Sequence, residues 1–411
     1  MAGRAASYRE VFAVGEFRAL FAAHLLSVVG DQFARVALAV LVFDRTRSPG
    51  WTAATYALTF LPAIVAGPLL SGLADRYPRR RVMVAADLAR AVLVALMAVP
   101  GTPLLAIGAL LVAVQLLQAP FNAGRAATLP LMLEGDRFVV ASGVINLTYQ
   151  LALLVGFGTG GVLVAGIGPS GALLIDAVTF VVSAGLVRFG LADRPAAANA
   201  PGQDQSWLRR IADGARLVWW DRRLRLLVAF ACLAGFYVIV EGLAVPYAHQ
   251  LGGGADTVGL LLAASPAGAV IGLLLLNKTP PQHRQRLLTP MAVGACLPLI
   301  GCVTRPGLAI TLGLWLLSGA CSAYQMVANA EYVRAVPDAQ RGQAFGLAVT
   351  ALLVAQGIGV LATGALAEVI TPATVVAIGG ALGTATAAAV GVAWSRLPAR
   401  KDAPADNQPT S

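Results

Sequence analysis

A polytopic all-α membrane protein made of two related halves is what this sequence predicts, on three grounds. Its 411 residues are 58% hydrophobic and only 12% charged, whereas soluble domains carry roughly 25% charged residues. The apolar residues fall in unbroken runs of about 20, the length that takes a helix across roughly 30 Å of hydrocarbon. Unbroken runs, as opposed to alternating ones, point to helices, which satisfy their own backbone hydrogen bonds in lipid. Landmarks also recur at an offset of about 205 residues. Leu61-Pro62-Ala63 and Gly67 match Ser265-Pro266-Ala267 and Gly272, and Asn122-Ala123 with Pro130 match Asn329-Ala330 with Pro337. Several matches in order at one spacing indicate a duplicated six-helix unit.

Length places about twelve spans. The first half holds 17–43, 51–73, 82–99, 103–128, 138–167 and 171–190; the second holds 224–248, 257–276, 287–303, 307–330, 342–370 and 373–394. Internal Gly and Pro are compatible with this reading, since membrane helices tolerate both. The first sixteen residues hold Arg4, Arg9, Glu10 and Glu16 and no apolar core, so no cleavable leader is expected and the first span does the targeting. Between 191 and 223 the composition turns to Ala, Pro, Asp, Gln and Arg, which divides the spans six and six. The expected units are therefore a bundle at 1–190, a central loop at 191–223, a bundle at 224–395 and a disordered tail at 396–411. Within the loop, Leu208, Ile211, Ala215 and Val218 share one helical face, which suits a helix at the membrane interface or on the underside of the bundle.

Positive charge orients the chain. The connections at 44–50, 168–170 and 250–256 hold few Lys or Arg, with Arg45, Arg47 and Arg305 the exceptions on that side. Arg76 to Arg81, Arg137, Arg194 to Arg225, Lys278 to Arg286, and Arg334 with Arg341 fall in the alternate connections, which places both termini in the cytoplasm. The net charge of +10 is thus a matter of topology, and no aromatic-rich basic domain exists to hold nucleic acid. Cys232, Cys296, Cys302 and Cys321 lie in apolar runs without zinc-ligand spacing and read as small apolar fillers. His24, His249 and His283 are far apart and form no metalloenzyme motif. Neither a metal, a cofactor nor an enzymatic activity is expected.

The stretch Ser71-Gly-Leu-Ala-Asp-Arg-Tyr-Pro-Arg-Arg-Arg81 sits between the second and third expected spans. It resembles the signature loop of the major facilitator superfamily, G-x-L-A-D-R-x-G-R-[RK], through Leu73, Ala74, Asp75, Arg76, Arg79 and Arg80; Ser71 and Pro78 replace its glycines. The second half keeps positive charge at Asn277-Lys-Thr-Pro-Pro-Gln-His-Arg but no acid. The resemblance implies two pseudo-symmetric six-helix bundles that rock about a central cavity. It also implies a cytoplasmic gate in which Asp75 meets the start of the eleventh helix near Asp338–Gly342, where a helix N-terminus offers free N–H donors and about half a positive charge. Arg76, Arg79, Arg80 and Arg341 belong to that gate, and Asp87 with Arg90, three residues apart nearby, read as gate or packing charges.

Charged residues inside spans each cost about 2.5–3.5 kcal/mol on insertion scales, so they mark function. Asp31 and Arg35 lie four apart on one face of the first span and can neutralise one another; Glu241 lies at a corresponding depth in the seventh. The resemblance places both helices on the central cavity. Burial disfavours an ionised carboxylate, which suits groups that take up and release protons; a structural ion pair is the alternative. Gln115, Gln118, Asn146, Tyr149, Gln150, Tyr237, Gln325 and Gln356 are candidate lining residues, mostly neutral, which fits amphipathic substrates. Arg125 and Glu331 end the fourth and tenth spans and are candidates for the cytoplasmic gate.

Three stretches resemble the exporter branch that handles drugs and siderophores: Val29-Gly30-Asp31-Gln32-Phe33, Ala119-Pro-Phe-Asn-Ala-Gly-Arg125 with Leu129-Pro130, and Val336-Pro-Asp-Ala-Gln-Arg-Gly342. The fourth helix lacks the mid-membrane arginine of many proton-coupled members, reading Ala113-Val-Gln115-Leu-Leu-Gln118, so Asp31, Arg35 and Glu241 would carry coupling. Gly156-x-Gly158-x-Gly160-Gly161 resembles the glycine-rich antiporter motif without its proline, and equally describes a close-packing helix face. The resemblance implies a monomeric plasma-membrane exporter of small amphipathic molecules, driven by protons and surrounded by lipid. An importer, or a receptor or scaffold of the same fold, is the alternative.

Overall fold

The computed structural model describes residues 8–70, 73–194, 216, 218–337 and 340–397; the side chains at 67–69, 74, 75, 139, 146, 147, 281, 282, 341 and 342 lie outside that description. Most of the central segment, at 195–215 and 217, with Leu208, Ile211 and Ala215 of its expected helix, the Asp75 and Arg341 side chains of the expected gate with its partner region at 338–339, the Asn146 side chain, and the tail beyond 397 therefore fall outside the described residues.

The chain is helical throughout the described residues. The first half comprises α1 (Tyr8–Ala13), α2 (Gly15–Thr46), α3 (Pro49–Ala57), α4 (Leu61–Leu70), α5 (Leu73–Arg76), α6 (Arg79–Met97), α7 (Leu104–Met132) and α8 (Asp136–Gly190). The second comprises α9 (Arg222–Cys232), α10 (Ala234–Tyr237), α11 (Ile239–Gln250), α12 (Ala255–Lys278), α13 (Pro281–Cys296), a 3₁₀ stretch (Leu297–Thr304), α14 (Leu308–Ser322), α15 (Tyr324–Ala335), α16 (Arg341–Leu366) and α17 (Pro372–Ser395).

Among the described residues nine helical segments are long and apolar enough to cross a membrane. Three local features separate that figure from the twelve expected spans. The fifth and sixth expected spans run on as one helix, α8, broken where Gly168 takes φ 74°, a conformation that glycine adopts without Cβ strain, with Pro169 starting the next turn. The second expected span is interrupted at 58–60, so α3 and α4 are short. The third, α6, carries Arg79, Arg80, Arg81, Asp87 and Arg90, which lower its hydropathy. Large side chains such as Val92, Leu105, Val162, Leu275, Ile310 and Leu382 face outward, the arrangement expected where lipid is the solvent.

The two halves meet along two seams: α8 with α12, and α3 with α16. Small residues make the first possible. A Cβ placed on Gly161 would lie 2.5 Å from Gly259 Cα, so the two backbones touch and any side chain at either position would push the halves apart. The glycine-rich stretch thus works as a packing face, with Gly156 against Gln32, Gly160 against Phe33 and Gly161 on the inter-half seam. All four cysteines are free. Cys296 and Cys302 are buried fillers, while Cys232 and Cys321 are only half-buried.

Candidate functional site

A cavity of about 510 Å³ lies between the halves. From α2 it receives His24, Val28, Asp31 and Arg35, which step by three or four residues and therefore share a helix face, with Gln32 beside them. Gln118, Asn122 and Arg125 do the same from α7, and Tyr149 enters from α8. The second half contributes Glu241, Val238, Pro266, Leu353 and Gln356. Of the residues expected at the centre, Asp31, Arg35, Glu241, Gln118, Tyr149 and Gln356 line this space together. His24 and Asn122 were not anticipated, although continuing the Asp31 and Gln118 faces by one or two turns reaches them.

Charge pairing differs from the expectation that Asp31 and Arg35 neutralise each other. Arg90 of α6 donates to Asp31 at 2.9 Å and lies 3.5 Å from Asp87. Its guanidinium sits 4.0 Å from the centroid of the Phe180 ring. Asp87 in turn accepts from Ser183 at 2.6 Å. Behind them Asp176, also buried, accepts from Thr179 at 3.2 Å. Arg90 and Asp87 are thus packed inside the first half, with side chains 1% and 0% exposed, and not at a gate. Asp87 and Arg90, three apart, share one face of α6, and the long Arg90 side chain reaches from that face to Asp31 on α2. Arg35 is left among Tyr56, Tyr149, Asp31 and Glu241.

Four more expectations need correction. Gln115 is buried just behind the cavity wall, beside Asp31, Arg35 and Thr59, and donates to the Thr59 carbonyl at 2.7 Å; the interruption at 58–60 frees that carbonyl from its helix partner, and a buried one needs a donor. Gln325 faces a separate chamber in the second half and bonds the Ala231 carbonyl and the Tyr237 hydroxyl, each at 3.1 Å. Arg79 and Arg80 do not span a gap: they hold the Ala127 carbonyl at 3.0 Å and the Leu191 carbonyl at 3.1 Å, and Arg80 pairs with Asp193 at 2.7 Å, all in the first half. Glu331 likewise stays in the second half, with Arg223 at 3.1 Å and Gln285 at 2.6 Å. Arg76 is exposed.

Hydrogen bonds between the halves gather at the end that carries 44–50. Ser48 caps α3 by accepting from Trp51 N at 3.0 Å and donates its hydroxyl to Glu368; Gly50 N donates to the same carboxylate at 2.8 Å. Glu368 thereby accepts orphan donors at the start of α3. Arg47 reaches the His249 ring at 3.5 Å. Deeper, the Tyr56 hydroxyl donates to Glu241. No pattern in the sequence announces that last pair, whose members are 185 residues apart. Glu368→Ala is expected to remove about 1 kcal/mol from the closed arrangement of this end, the scale of an exposed charged hydrogen bond. Distances between spin labels on the 99–102 and 304–306 loops would widen; an unchanged distribution would show that the contact does not hold the halves.

The sequence model of the Major Facilitator Superfamily matches residues 20–278. The chain belongs to that superfamily. Among curated relatives, the multidrug efflux pump Tap of Mycobacterium tuberculosis is 28% identical over 279 residues, 63% of this chain and 64% of the relative. The match thus spans a little under two thirds of that relative's length. The lysophospholipid transporter LplT of Pectobacterium carotovorum is 29% identical over 324 residues, 75% of each chain. The crystal structure of the nucleoside transporter NupG superposes with a TM-score of 0.71 at 15% identity, covering 92% of this chain and 100% of that one, which speaks for the fold.

Proposed function

We propose that this chain is a twelve-span transporter of the plasma membrane that exports small amphipathic molecules by alternating access, exchanging them for protons. The observation that carries the reading is the cavity between the halves, closed by Tyr56–Glu241 and Ser48–Glu368 at one end and holding two acids, Asp31 and Glu241. Buried carboxylates are costly in a membrane and belong to pathways and proton relays. The arginine-rich connections put both termini in the cytoplasm, so the latched end is the outer one and this form is shut to the outside. Asp31 sits between the cavity and Arg90, and Glu241 sits at the contact that must break for the outer end to open, so protonation of either is coupled to the position of the halves. Relatives named as a multidrug efflux pump and as a lysophospholipid transporter support an amphipathic substrate. Asp75, Arg76 and Arg341 keep their proposed place at the cytoplasmic closure, and the transporter acts as a monomer in lipid.

In proteoliposomes with an imposed proton gradient, the protein is expected to move a fluorescent amphipath uphill, with the movement abolished by an uncoupler. Asp31→Asn and Glu241→Gln should each abolish gradient-driven movement. Uphill movement that survives the uncoupler, or that both variants retain, would remove proton exchange from the mechanism.

A further inference from the structure

A second chamber, of about 340 Å³, lies wholly in the second half. Leu227 and Ala231 of α9, Met326 of α15, and Phe345, Val349 and Leu352 of α16 form its apolar wall, and among the described residues no charged side chain lines it. Two of its polar neighbours are already engaged: Gln325 as described, and the Tyr332 hydroxyl on the Ala344 carbonyl at 2.7 Å. An apolar occupant therefore leaves those groups satisfied.

The chamber and the central cavity share helix faces. Along α16, Phe345, Val349 and Leu352 line the chamber while Leu353 and Gln356 line the central cavity. Along the α9–α11 span, Ala231 lines the first, and Val238 and Glu241 the second. Charge gathers instead at the central cavity, which Glu241 enters from the second half. Asp31, Arg35 and Arg125 all enter the central cavity from the first half. Arg125 is distinctive, because its Nη1 is buried and has no hydrogen-bond partner among the described residues, a costly state for a guanidinium that an anionic group would relieve.

Resting on the transport reading above, we propose that the substrate is a single-tailed amphipath: its apolar tail enters the chamber, and an anionic group in its head is held by Arg125 in the central cavity. Volumes of this order are those of small-molecule sites.

The test uses the full chain in lipid nanodiscs and alkylphosphocholines of six, eight and ten carbons, with empty nanodiscs subtracted. Affinity is expected to rise by up to about fourfold per methylene, the factor equivalent to burying one CH₂. Val349→Trp fills the chamber and should flatten that rise, so that the ten-carbon ligand binds no more tightly than the six-carbon one. Ala231→Leu, from the opposite wall, repeats the test with a smaller intrusion, and thermal melting of both variants identifies any that fail to fold. Arg125→Gln should weaken the whole series by a common factor without changing the rise. A rise unchanged in both filled variants overturns the tail site, and unchanged affinities in Arg125→Gln overturn the head site. A chain that pumps in vesicles but shows no rise loses this proposal and keeps the transport reading; one that shows the rise but does not pump loses the transport reading alone.

Discussion

Replacing Arg90 with alanine is expected to destabilise the protein by about 3–5 kcal/mol, the cost of breaking a buried ion pair from one side. Arg90 is 1% exposed and lies against two carboxylates, Asp31 at 2.9 Å and Asp87 at 3.5 Å. Its removal would leave Asp87 without a countercharge in the interior of the first half and Asp31 with Arg35 alone nearby, and would also empty the space over Phe180 that the guanidinium fills. Thermal unfolding in detergent measures the loss. Adding Asp31→Asn to Arg90→Ala should recover part of it, because an amide in that place needs no countercharge. Equal melting of Arg90→Ala and the parent chain would show that the cluster is solvated in the native protein and that its ion pairs carry little.

Tyr56→Phe is expected to shift the balance of the two halves toward the form open at the 44–50 end by about 10- to 150-fold, from the roughly 1.5–3 kcal/mol that a hydrogen bond to a charged acceptor contributes. Tyr56 is 3% exposed and its hydroxyl donates across the interface to Glu241, so the substitution removes a donor without emptying the ring's space. The contact exists only in the closed form, and only such differential contacts move a two-state equilibrium. Spin-label distances between the 99–102 and 304–306 loops would show a larger open population in Tyr56→Phe, and a similar one in Glu241→Gln. Parent-like distributions in both would mean that the closed form is held by the glycine seam at Gly161 and Gly259.

These two expectations also mark where the sequence stops being informative. Asp31, Arg35 and Glu241 stand out in the chain because each interrupts an apolar run, and the expense of charge in lipid requires such residues to face inward. That argument needs no coordinates. It does not say which partner each residue takes. Asp31 and Arg35 are neighbours on one helix, yet Asp31 pairs with Arg90 from another, because the packing of α6 against α8 and beside α2 brings that guanidinium closer. Gln115 and Gln118 look alike in the sequence, and one is used to satisfy a freed carbonyl while the other lines the cavity.

What the sequence determined by itself was what depends on the solvent: helices long and apolar enough to cross a bilayer, arginines concentrated in alternate loops, and acids too costly to face lipid. Those properties follow from hydropathy and backbone hydrogen bonding, which act locally along the chain. Tertiary structure alone decided the contacts between helices: Arg90 on Asp31, Tyr56 on Glu241, Glu368 on the start of α3, and Gln325 in a chamber of its own. Contacts of that kind depend on the rotation and close approach of helices far apart in the chain, and small residues such as Gly161 and Gly259 set that approach without leaving a charge or a period to read.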